Sequence, residues 1–126
     1  MIQANWYDAH RTIIGICIDD KLTLDILNDS TCRTHDLALS VNYPVTLMIE
    51  LSKTVGLPPR GFVDSIREAV AVHQDVGLHT IVYITPSQDA QTLWQEAIYT
   101  YAVDTSIYFF VHSRADALAL IQQRIA

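Results

Sequence analysis

A chain of 126 residues, half of them hydrophobic and 17% charged, has the size and balance of one folded domain, which favours a compact protein over a disordered polypeptide. Its formal net charge of −6 and pI near 5.1 argue against a general attraction to nucleic acid or to anionic lipid. No apolar run reaches the roughly 20 residues of a spanning helix, and no basic segment followed by an apolar one opens the chain, so a cytoplasmic protein without a membrane span is expected.

Ile2 to Tyr7 alternates in character, with Ile2, Ala4 and Trp6 on one side, which is the period of a half-buried edge strand. The short connection Asp8 to Arg11 predicts an antiparallel hairpin into a second strand, Thr12 to Ile18, apolar on both faces. Thr23 is suited to cap a helix running to about Leu39. In that helix Asn28, Thr31, Cys32 and His35 form a polar stripe flanked by Leu24, Leu27, Ala38 and Leu39. The stripe either lines a polar pocket or satisfies its own groups at the edge of the core. Cys17 and Cys32 show no metal-knuckle or Cys-x-x-Cys spacing and read as reduced thiols that pack as small apolar groups. His35 shares a helix face with Cys32, and packing is preferred to a catalytic pair.

Pro44 ends the helical region, and Val45 to Leu51 reads as a buried central strand. Leu47, Ile49 and Leu51 face one way, and Thr46, Met48 and Glu50 the other. Glu50 is either an acid or base with a raised pKa or a structural acceptor of backbone N–H groups. The turn-rich segment Ser52 to Gly61 leads into a helix with Phe62, Ile66, Ala69, Val70 and His73 on its sheet face. His73, near the carboxyl end of that helix, reads as a capping or partly exposed group. Leu78 to Thr85 resumes a strand, and Ser87 is placed to cap a third helix carrying Ala90, Leu93, Trp94, Ala97, Ile98 and Tyr101 at helical spacing. Ser106 to His112 reads as a strand covered on both faces. Ser113 then caps a closing helix with Ala117, Leu118, Ile121 and Ile125 buried.

The order predicts a single α/β domain over residues 1–126, with a five-stranded mixed, mostly parallel sheet, an N-terminal antiparallel hairpin and about four helices. The parallel strands bring their carboxyl ends to one edge, where ligands of open α/β sheets bind and helix amino termini add N–H donors. Ser52, Lys53, Arg60, Ser87, His112, Ser113 and Arg114 are therefore the candidate ligand-binding residues, suited to an anion. The other reading leaves Ser87 and Ser113 as caps and the basic side chains in solvent. No residue set points to a catalytic group, a metal or a cofactor.

Several segments resemble the SpoIIAA-like group of α/β proteins, which includes STAS domains and the related CRAL-TRIO lipid-binding folds. They are Trp6-Tyr7-Asp8 before Thr12-Ile13-Ile14, Leu22-Thr23 at the first helix, Pro44-Val45 leading to Ile49-Glu50-Leu51-Ser52, and Ser113-Arg114-Ala115-Asp116-Ala117-Leu118. The chain looks most similar to small stand-alone bacterial STAS/SEC14-like proteins. In STAS regulators of this group a phosphorylated serine lies in an Asp-Ser-Ser-Gly-like segment at the start of the second helix. The comparable stretch here, Ser52-Lys53-Thr54-Val55-Gly56-Leu57-Pro58-Pro59, lacks the acid-serine-serine run, which leaves Ser52 and Thr54 as the phosphoacceptor candidates. CRAL-TRIO carriers have additional helices to close a lipid cavity, and this chain has no room for them.

The resemblance implies a non-enzymatic binding or regulatory module, acting through a partner protein or a small anionic or lipid-like ligand at the carboxyl edge of the sheet. Two alternatives stand beside it. One is a small enzyme using His112 as a base with Glu50 or Ser52. The other is a structural homo-oligomer, a homodimer for example, joined through the Trp6 strand or through Tyr99 and Tyr101.

Overall fold

The structure is a computed structural model that describes residues 2–19, 21–52 and 58–125. Its elements follow in the order β1 (Ile2–Trp6), β2 (Ile13–Ile18), α1 (Leu24–Leu39), β3 (Thr46–Glu50), α2 (Phe62–Asp75), β4 (Thr80–Ile84), α3 (Gln88–Tyr101), β5 (Tyr108–Val111) and α4 (Arg114–Ile125). The strands form one sheet in chain order, β1-β2-β3-β4-β5; β1 is antiparallel to β2 and every other pair is parallel. This is the expected mixed α/β sheet, with β1 at an edge and β3 at the centre. Among the described residues no helix is long and apolar enough to cross a membrane.

Strand alternation assigns the two faces. Ile14, Ile16, Leu47, Ile49, Ile81 and Tyr83 point into the larger core, which α1, α2 and α3 close with residues such as Leu27, Val70, Trp94 and Ile98. Met48, Val82 and Ile84 point the other way, into a smaller core closed by Ala117 and Ile121 of α4. That helix packs on β3, β4 and β5, whereas Gln3, Asn5 and Tyr7 on the same sheet face are exposed.

Local chemistry sets the boundaries. The Asp8 carboxylate accepts the N–H groups of Thr12 and Ile13, each at 2.9 Å, and the Thr12 hydroxyl, which ties the β1–β2 turn shut. Partial burial would raise its pKa, but these hydrogen bonds outweigh that effect and hold it below the ordinary value. Thr23 and Ser87 cap α1 and α3 as expected, accepting the Ile26 and Ala90 N–H groups at 3.2 Å. Gly77, at φ +71°, ends α2: its N–H bonds the Gln74 carbonyl while the Leu78 N–H bonds the His73 carbonyl, a Schellman closure.

Three expectations change. The buried stripe of α1 is Leu27, Ser30, Thr34 and Ala38, while Asn28 and Cys32 are exposed, as are Leu24 and Leu39. The helix turns its small hydroxyl residues inward because Thr34 and Thr31 can donate to the Ser30 and Leu27 carbonyls, at 2.9 and 3.2 Å, and so satisfy themselves within the helix. His73 is neither a cap nor partly exposed but buried, since α2 runs two residues further and its last turn is still on the sheet. Residues 105–107 form a 3-10 turn, so β5 begins at Tyr108 rather than at Ser106.

Candidate functional site

The register of β2 on β3 sets Cys17 directly beside Glu50 at the carboxyl ends of the two strands, on the face that holds α4. The Glu50 side chain is 8% exposed, so its carboxylate needs partners. It finds them in the first residue of α4 and in the residue two beyond it, just past the end of β3. Arg114 Nη2 and Nε approach Glu50 Oε1 at 2.7 and 2.8 Å, and the Ser52 hydroxyl donates to Oε2 at 3.2 Å. Glu50 is thus a structural acceptor, whose donors among the described residues are side chains rather than backbone N–H groups.

The Glu50 hydrogen bond, and then its charge, raise the Arg114 pKa further above its ordinary value, with smaller contributions from Tyr7 and Cys17. The Arg114 side chain is nonetheless 48% exposed. It stands at the end of a groove of about 250 Å³ over β1 and β2, where Tyr7, Gly15, Cys17 and Met48 supply the walls and floor. Tyr7 packs over Gly15, where a Cβ would stand 3.4 Å from the Tyr7 Cβ, an ordinary van der Waals contact. The groove is a largely apolar slot with one fixed cationic group at its carboxyl-edge end, an arrangement that suits an acceptor group on an otherwise apolar ligand.

The remaining candidates are spread along the same edge. His112 is exposed, and its Nδ1 lies 3.3 Å from the Thr85 carbonyl oxygen and 3.4 Å from the Thr85 hydroxyl. Ser87 and Ser113 act as caps, Ser113 accepting the Asp116 N–H at 3.1 Å. Arg60 is exposed just before α2. Lys53 and Thr54 lie outside the described residues, as does the side chain of Ile125. Of the groups expected to join copies of the chain, Trp6 and Tyr101 are half-buried, while Tyr99 is exposed and packs edge-on against Phe110 at 6.1 Å between ring centres.

The edge of strands β2 and β3 therefore brings Ser52 and Arg114 together through Glu50, with Cys17 and Tyr7 alongside. The part of Cys17 and Tyr7 escaped sequence reasoning because it depends on α4 leaving β1 and β2 uncovered on its side of the sheet. The strand period does place Cys17 and Glu50 on one face, and a lone carboxylate in an apolar strand signals that a cation must come to it. Among the described residues no group of three or more His, Cys, Asp or Glu side chains is placed to hold a metal ion. A scan against protein-family models finds no match for this chain, and a search of curated proteins finds none either.

Proposed function

We propose that the protein is a non-enzymatic binding or regulatory module of STAS-like type, which meets an anionic group of a small ligand or of a partner protein in the groove over β1 and β2. The observation that carries this reading is the half-exposed Arg114 side chain in the groove lining, its guanidinium held by the buried Glu50 carboxylate. Glu50 orients the guanidinium and occupies only Nε and one terminal nitrogen, which leaves further N–H donors for a carboxylate or phosphate. Tyr7, Gly15 and Met48 offer apolar contact to the rest of the bound group. On this reading the module works in the cytoplasm.

Phosphorylation of Ser52 would act directly on the site. Its hydroxyl donates to Glu50, so a phosphate there sets two anions side by side and competes with Glu50 for Arg114.

Titration of ¹⁵N-labelled protein with phosphate, short-chain fatty acids and anionic lipid micelles tests the reading. Shifts concentrated at Tyr7, Gly15, Cys17 and Arg114, and weakened in a Tyr7→Ala variant, are expected for at least one of these probes. A response confined to other parts of the surface refutes it.

A further inference from the structure

On the opposite face of the sheet, between α1 and α2, lies a cavity of about 20 Å³ whose lining includes Ser30, Thr31, Thr34, Ser65 and His73. Ser30, Thr34, Ser65 and His73 are each more than nine-tenths buried. So concentrated a set of hydroxyls, plus an imidazole, is unusual against strands as apolar as β2 and β3.

The hydrogen-bonding capacity of these groups exceeds what they use on one another. Thr31 and Thr34 donate to carbonyls one turn back in α1, yet each hydroxyl oxygen can also accept. His73 engages the Tyr108 hydroxyl through Nδ1 at 2.9 Å, and its other ring nitrogen provides a further donor or acceptor. A site needs roughly 10–15 Å³ and two to four polar partners to hold a water molecule, whereas a cavity lined only by apolar groups stays dry. The volume meets the first condition, and Ser30, Thr31, Thr34, Ser65 and His73 in the lining supply the candidates for the second.

We infer that this cavity is a hydration site, in which one ordered water bridges the hydroxyls of α1 to Ser65 and His73 of α2. The water joins two helices whose facing residues are too small and too polar to interlock as an apolar seam. Ile18 and Leu51 also line the cavity. They are the immediate chain neighbours of Cys17 and Glu50, so the hydration site and the Arg114 groove lie back to back across the ends of β2 and β3.

Water-selective NOE spectroscopy on ¹³C-labelled protein tests the inference through the Ile66 and Ala69 methyl groups, which line the cavity and carry no exchangeable protons of their own. Cross-peaks from these methyls to water are expected, with the sign of a long-lived contact and with none at Val82 in the other core. Their absence, under conditions where the exposed Ala115 methyl gives its ordinary surface signal, overturns the inference. Xenon supplies the second measurement: selective shifts of the Ile66 and Ala69 methyls under xenon pressure would mark a dry apolar cavity and also overturn it, whereas no selective shift is expected of a wet one.

Discussion

Arg114 reaches back across 64 positions of sequence to place Nε and Nη2 on the same oxygen of Glu50, joining the first turn of the last helix to the end of the central strand. Removing the guanidinium leaves a carboxylate that is almost wholly buried with Ser52 as its remaining described donor. Arg114→Ala is therefore expected to cost about 1–3 kcal/mol, below the range for breaking a fully buried pair because the Arg114 side chain is half in solvent. Urea unfolding measures it. A Glu50→Gln, Arg114→Ala double variant should recover part of the loss, since the neutral amide is cheaper to leave under-bonded.

Acid should weaken the fold through His73. Its burial depresses the pKa from 6.5 to about 3, so in the folded state the ring stays neutral where the unfolded chain would protonate it. Because the unfolded state binds the extra proton, stability falls as pH drops below 6.5 and goes on falling until the folded ring also protonates, near 3. The slope from this residue approaches about 1.4 kcal/mol per pH unit. A His73→Gln variant, whatever its stability at neutral pH, should show a shallower decline between pH 6 and pH 4 in urea midpoints, those limits being roughly the linear part of the titration.

The turn after α2 depends on a backbone conformation that only glycine adopts cheaply. Gly77 sits at φ +71°, and a Cβ added there would meet no atom within 4 Å, so a methyl group brings no packing cost, only a conformational one. Gly77→Ala should then lose about 1 kcal/mol. Calorimetric or denaturant unfolding of the pair of proteins checks the figure, and a loss several times larger would mean that the Schellman closure itself had failed.

The two thiols should separate kinetically. Cys32 is exposed on α1, whereas Cys17 is half-buried in β2, so a reagent reaches the first thiol more freely than the second. An aromatic disulfide reagent should label Cys32 first in the folded protein, with Cys17 reacting at a slower rate that a groove ligand suppresses further. Mass spectrometry of timed samples gives the order.

Much of the fold was legible because period-two and helical spacing act on long, strongly apolar segments: β2, β3, β4 and α3 are all where Ile16, Leu47, Val82 and Trp94 require them. Phase was harder to read in α1. Its inward face carries Ser30 and Thr34, whose hydroxyls are satisfied by their own helix, so polarity misled where hydrogen bonding decided. His73 misled for the related reason that a partner 35 residues away, Tyr108, makes its burial tolerable. At the candidate site, residue types pointed to Ser52 and Arg114. The link between them is Glu50, whose need for a cation was readable but whose choice of Arg114 depends on where α4 comes to rest.

The strands lie in the sheet in the order in which the chain makes them. Each strand therefore pairs with the one synthesised just before it, across a single connection, and no strand has to wait for a distant segment to be inserted between neighbours. Such a chain can zip its sheet from one edge to the other at a small loop-closure cost per step. The Arg114–Glu50 contact is the exception: it spans 64 positions, more than any of the strand pairings, and so carries the larger loop-closure cost.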